Sequence, residues 1–247
     1  AELPEMVFLR RGSAARGAMV NLYTPATGEV PIGPDLSVRL RQVTDYPNSG
    51  QVTIEVTPSR PAAFPVTLRI PRWCESADVT VNGQAWGEPV EPGRWYSIQR
   101  QWRDGDQIAM DMPMPVRLVS GCKLQTGKVA VMRGPIVFCL SPARQAARHP
   151  EYAGHGANPD EIQHSLEEVL NRTKIDWSTL GPIVPDDAVR PDGLALEVRG
   201  WGPASDISRP ADLTLVLTEF TDPTGQRTYL PADAAQQVTG DELLRSP

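Results

Sequence analysis

The chain has 247 residues and a formal net charge of −6, from 24 basic and 30 acidic side chains, with 25 prolines and 20 glycines. Proline stands at about twice its average usage of roughly 5%. It is poorly tolerated in helix interiors and central strands, so a predominantly helical fold is excluded and short strands joined by turns are predicted. The acidic balance, with no basic stripe interleaved by aromatics, argues against a nucleic-acid partner, and no apolar run approaches the ~20 residues of a membrane helix.

The opening "LPEMVFLRR", residues 3–11, fits either the tail of a helix or a lead-in strand, and it lacks the apolar core of a signal peptide. Whether the protein is cytoplasmic or secreted stays open. Arg10, Arg11 and Arg16 form a small basic patch, read as a solvated or partner-facing end. From there the pattern is β. "AMVNLYTP", "LSVRLRQVTDYP", "QVTIEVTP", "FPVTLRIPRW" and "ADVTVNGQAW" alternate β-branched with polar residues and end at turn formers. Val52, Ile54 and Val56 share one face, Thr53, Glu55 and Thr57 the other, and Val66, Leu68 and Ile70 repeat the scheme. Asn82-Gly83 is a strong two-residue hairpin turn.

The most regular stretch is "WYSIQRQWRDGDQIAMDMPMPVRL", residues 95–118. Tyr96, Ile98, Arg100 and Trp102 alternate, and so do Ile108, Met110, Met112, Met114, Val116 and Leu118, with Asp104-Gly105 between the runs. This predicts a hairpin that closes a first antiparallel sandwich. Further on, "KVAVMRGPIVFCL", "LALEVRGW" and "LTLVLTEF" are strands of a second sandwich. Residues 141–160 are expected as a linker, mobile or wrapped over the first sandwich, and 159–172 as one short helix with Ile162, Leu166, Val169 and Leu170 on one face. The fold class is therefore all-β, two antiparallel β-sandwich domains with one short helix in the second.

Candidate chemistry is sparse. Cys74, Cys122 and Cys139 show no CxxC spacing; Cys139 belongs to an apolar run and is expected in the core, while Cys74 and Cys122 are left open as exposed or paired. His149, His155 and His164, with Glu151 and Glu161 among them, match no metal motif, so no metal ligand is assigned. Asn171-Arg172-Thr173 matches a glycosylation sequon of the kind that occurs by chance. Trp73, Trp86, Trp95 and Trp102 gather at strand ends and are the candidate sugar-binding residues, against the plainer expectation that they pack the core.

Five stretches in fixed order, "MVNLYTPA", "VRLRQVTDYPNSGQVTIEV", "FPVTLRIPRWCESADVTVNGQ", "YSIQRQWRDGDQIAMDMPMPVRL" and "GKVAVMRGPIVFCL", resemble the post-catalytic region of the glycoside hydrolase family 127 group, the β-L-arabinofuranosidases once grouped as domain of unknown function 1680. The resemblance covers residues 3–141 and is faint from 142 onward. It implies an (α/α)6 helical barrel followed by β-sandwiches, and a retaining mechanism with a zinc-bound cysteine nucleophile and a glutamate acid/base. Those groups, including an adjacent Cys-Cys pair, lie in the barrel upstream of the "VNLY" strand. None of Cys74, Cys122 and Cys139 matches them, so catalytic residues and cofactors are expected to be absent from this chain, with zinc in the barrel. The implied division is residues 1–17 as a remnant of the helical barrel, 18–118 as the first sandwich, and 119–247 as the second, with the linker and helix inserted at 141–172. The implied role is a non-catalytic accessory region bracing the barrel, its partners being that barrel and arabinose-containing glycans of plant or glycoprotein type. The alternatives are an autonomous carbohydrate-binding module and a scaffolding domain that forms a homo-oligomer.

Overall fold

Alternation at period two becomes two facing sheets in the first of two units, Ala1–Pro115 and Val116–Pro247, of a computed structural model that describes residues 6–12, 16–87, 90–148, 173–202, 205–225 and 227–232. In the first unit a four-stranded sheet runs β1 (Phe8–Arg11), β2 (Gly17–Val20), β6 (Ala62–Arg69), β9 (Trp95–Trp102). A six-stranded sheet runs β3 (Ala26–Gly33), β4 (Leu36–Thr44), β5 (Gln51–Pro58), β10 (Asp106–Asp111), β7 (Asp78–Val81), β8 (Gln84–Ala85). All pairings in the unit are antiparallel except β2 with β6, which is parallel. Both alternatives for the opening segment are present in turn: Met6 and Val7 are helical, and Phe8–Arg11 form the strand.

The predicted apolar faces are the buried ones. Val38 and Leu40 of β4, Val52, Ile54 and Val56 of β5, Val66 and Leu68 of β6, and Ile108 and Met110 of β10 form one core with Ile98 and Trp102 of β9. Asn82 and Gly83 take positive φ values of 53° and 77° and join β7 to β8, as that dipeptide predicts.

Residues 95–118 do not form a hairpin. β9 pairs with β6 in one sheet, and β10 pairs with β5 and β7 in the other. Arg103–Gly105 therefore arches across the core. Alternation cannot separate the two topologies, because a hairpin and an arch both need one buried face per strand. The pattern also outruns the strand. β10 stops at Asp111, and Val116–Leu118 belong to β11 (Val116–Ser120), which pairs with β12 (Lys128–Arg133) in the second unit rather than closing the first sandwich. Pro113 and Pro115 intervene, and neither has an N–H for a ladder.

The second unit is an eight-stranded sheet whose main path runs β11, β12, β13 (Ile136–Leu140), β17 (Leu213–Glu219), β16 (Leu194–Trp201), β14 (Lys174–Asp176). β15 (Val184–Pro185) pairs with β16, and β18 (Tyr229–Pro231) pairs with β12. β13 joins the halves: its start pairs with β12 and its end with β17. Val129, Val131, Phe138, Leu140, Leu196, Val198, Leu215 and Leu217 line the enclosed core, closed by Trp177, whose indole N–H donates to the Pro231 carbonyl at 3.1 Å.

The expected linker begins instead as a helix, α1 (Pro142–Arg148). Its signal lies in "SPARQAAR": the Ser141 hydroxyl accepts from the Arg144 amide, Pro142 takes the first helical position, and good helix formers follow. Gln145 fastens α1 to the second unit by donating to the Val216 carbonyl at 2.6 Å. The helix expected at 159–172 lies outside the described residues.

Met112 is 1% exposed, its amide donates to Gly50, and a side chain at Gly50 would collide with the Met112 carbonyl. Its neighbour Asp111 is exposed. Met112→Asp buries a charge and is expected to cost more than about 4 kcal/mol, enough to unfold the unit. Asp111→Asn is expected to stay within about 0.5 kcal/mol of the parent. Urea melts giving the two variants equal stability would contradict this register.

Candidate functional site

The four candidate tryptophans do not converge. Trp102 is completely buried; its indole donates to the Phe64 carbonyl at 2.8 Å, and the Arg100 guanidinium lies 5.1 Å from its ring centre. A ring in that position has no face to offer a sugar. Trp73 and Trp86 are half-buried against the first core. Trp95, at the start of β9, is 46% exposed and is the one of the four with an open face. Among the described residues no ring contact joins any two of them.

The thiols are free and separate. Cys74 is buried in the first unit and donates to the Ser76 carbonyl, Cys122 is exposed, and Cys139 is buried in the second unit. Burial pushes both buried thiols up to about 11, which keeps them protonated at neutral pH. A nucleophilic or metal-binding cysteine needs the opposite shift. Among the described residues no group of three or more His, Cys, Asp or Glu is placed to hold a metal ion. The described part of the chain thus does not fit a zinc–thiolate centre. His149, His155 and His164 lie outside the described residues.

Buried carboxylates, absent from the sequence-based candidates, are the notable polar features. At the end of β17, Glu219 takes a two-pronged grip from Arg190, at 2.6 and 2.7 Å, and accepts from the Leu194 amide. Three residues on, Asp222 accepts from the Arg144 guanidinium at 2.9 Å and from the Thr224 amide and hydroxyl. Burial works to raise the Asp222 carboxyl, but the Thr224 bonds and Arg144 outweigh it and hold it below the ordinary range. These two pairs tie α1 and the loop before β16 to the end of one strand. Each acid is committed to internal donors, and Asp222 is held low where a general acid for glycosidic cleavage needs its pKa raised. The aromatic end of the first unit is tied in the same manner. Tyr23 donates to the Arg69 carbonyl at 2.7 Å, Arg69 donates to the Asn21 carbonyl at 2.6 Å, and Tyr23 and Tyr46 meet edge to face at 5.8 Å.

Asp106 carries the arch. Its carboxylate accepts from the Arg103 amide and from the Asn82 side chain, both at 2.8 Å, with Arg100 at 3.6 Å. Asn82 in turn accepts from the Gln107 amide at 2.9 Å. One signal was in the sequence: in "DQIAM" an acid occupies the inward position of an apolar alternation. Burial works to raise this carboxyl; the Asn82 and Arg103 bonds and the charges of Arg100 and Arg103 outweigh it, so folding lowers its pKa. A group lowered on folding contributes fully above its unfolded pKa, about 3.9, and loses that contribution as pH falls through the lower folded value. Asp106→Ala is expected to cost about 2–3 kcal/mol in urea unfolding at pH 7. The gap to the parent should shrink below about pH 4; a gap unchanged across that range would contradict the assignment.

Residues 17–114, the body of the first unit, match the model of the β-L-arabinofuranosidase GH127 middle domain. The non-reducing end β-L-arabinofuranosidase of Bifidobacterium longum subsp. longum is 36% identical over 109 residues, which are 40% of this chain and 16% of that protein. Among solved structures, the GH127 β-L-arabinofuranosidase Ara127N-Se of Geobacillus stearothermophilus T6 superposes with a TM-score of 0.68 at 23% identity, over 92% of this chain and 35% of that one. The GH127 β-arabinofuranosidase BT3674 gives 0.67 at 21% identity, over 90% of this chain and 36% of that one. The chain thus spans about a third of those structures, which share its fold. On the ordered motifs, the match of residues 17–114 to the GH127 middle domain and the shared fold, the chain is similar to the β-sandwich region of glycoside hydrolase family 127 proteins, with the stretch like that family's middle domain at its start.

Proposed function

We propose that this chain is the accessory region of a retaining β-L-arabinofuranosidase-like glycoside hydrolase, and that it braces an upstream helical catalytic barrel without chemistry of its own. The observation that carries the reading is the match of residues 17–114 to a middle domain, a part named by its place between others. The commitment of Asp106, Glu219 and Asp222 to internal hydrogen bonds, and the raised pKa of Cys74 and Cys139, support it. A second reading, sugar binding by the region itself, draws on the open ring of Trp95. Affinity electrophoresis on arabinan or arabinogalactan separates the two: the accessory reading expects no retardation, and retardation abolished by Trp95→Ala favours the second.

The direct test is turnover of a chromogenic β-L-arabinofuranoside. Retaining cleavage needs a nucleophile and an acid/base on either side of one bond. The chain alone is expected to give no turnover and to hold no stoichiometric zinc, and joining it to the upstream barrel should bring turnover. Activity of the isolated chain that survives repurification and is lost on replacing Cys74, Cys122 or Cys139 would overturn the proposal.

A further inference from the structure

The two sheets of the first unit end in four edge strands, and an unpaired edge is a template for another chain unless it is blunted. Three of the four are blunted. β1 has four residues and carries Arg10 and Arg11, β8 has two residues, and β3 carries Pro31 with a shift of register between Pro31 and Gly33. The fourth, β9, has eight residues, no proline, no lysine and an unbroken register with β6. Its one charged residue, Arg100, lies over the Trp102 ring.

Register shows which backbone groups β9 leaves over. Pro65, opposite Gln99, has no N–H, so that pair is one of those that exchange no ladder bonds. The bond from the Ile70 amide to the Arg94 carbonyl, just past the strands, falls in the same phase. The bonded pairs are therefore Leu68–Tyr96, Val66–Ile98, Phe64–Arg100 and Ala62–Trp102. Trp95, Ser97, Gln99 and Gln101 turn their backbone N–H and C=O groups away from β6, and all four residues are exposed. Among the described residues the one partner of these groups is the Arg100 guanidinium, which donates to the Gln101 carbonyl at 3.3 Å.

We propose that β9 pairs with β9 of a second copy of this chain, antiparallel about a twofold axis at Ile98. Trp95 then lies opposite Gln101 of the second copy and Ser97 opposite Gln99, so outward N–H groups meet outward C=O groups along the strand. Arg100 faces Tyr96 rather than its own counterpart, so no like charges are opposed. The logic of edges selects a second copy over an added peptide segment. A strand laid on β9 moves the open edge one place outward. Edge-to-edge pairing removes both open edges at once, and the joined sheet ends on each side at the blunted β1. The contact is small. Eight residues at about 3.3 Å each, on a layer about 10 Å thick, give about 260 Å² a side. Stable complexes bury about 800 Å² a side, so this dimer dissociates on dilution.

Sedimentation velocity over a concentration series, with hydrogen exchange on the same samples, tests this. The chain is expected to pass from monomer to dimer as concentration rises, while the Ser97, Gln99 and Gln101 amides slow. Gln99→Pro removes an amide hydrogen that the β6 pairing does not use. It is expected to weaken the dimer at least about tenfold, since the twofold axis doubles the loss, and to leave the melt of the dilute chain unchanged. Ser97→Lys with Gln99→Lys sets like charges opposite each other across the axis and should weaken it as much without a proline in the strand; Ser97→Asp with Gln99→Lys sets opposite charges there and should keep the dimer. A chain that stays monomeric to its solubility limit, a dimer indifferent to Gln99→Pro and to the paired lysines, or edge amides that exchange slowly at every dilution would each overturn the proposal.

Discussion

Between Trp102 and Asp106 the chain leaves one sheet of the first unit and enters the other, and the Asp106 carboxylate holds that crossing in place. It accepts from the Arg103 amide at the start of the arch and from Asn82 at the β7–β8 turn, so one buried acid closes the arch and joins it to a turn distant in sequence. β10 then inserts between β5 and β7 and completes the six-stranded sheet. Without that crossing, Ile108, Met110 and Met112 have no second layer to pack against, and a sheet face of apolar side chains is unstable alone. The acid sits where the alternation calls for an apolar residue, which is tolerable only because donors meet it on several sides.

Much of the first unit was legible in the sequence. The inward faces of β4, β5, β6 and β10, and the Asn82-Gly83 turn, follow from period and turn chemistry because both are local. Partnering is not local. β9 and β10 have the alternation of a hairpin but sit in different sheets, since nothing in a strand's own pattern names its neighbour. The end of β10 was readable in Pro113 and Pro115, whose missing donors outweigh the continuing alternation of Met114, Val116 and Leu118. Likewise α1 is written in Ser141-Pro142, though the Ala- and Pro-rich composition around it suggests a linker.

The candidate site was less legible than the fold, for a physical reason. An aromatic residue at a strand end serves a core as readily as a ligand, and only burial tells them apart: Trp102 is in the core and Trp95 is open. The buried acids were hidden among thirty, because their character comes from partners far away in sequence, such as Arg144 for Asp222 and Arg190 for Glu219. Breaking such a pair leaves an uncompensated buried charge, so these acids are costly to lose. The family resemblance rested on ordered motifs rather than on any site, and the match to the middle domain falls on the stretch where those motifs are densest.

The proposed bracing role has one direct thermodynamic consequence. Differential scanning calorimetry tests it on this region joined to the proposed helical barrel and on that barrel alone. Removing this region is expected to lower the Tm of that barrel by about 2 °C or more, the shift that one or two kcal/mol produces in a large domain. A barrel that melts at the same temperature with and without this chain would contradict it.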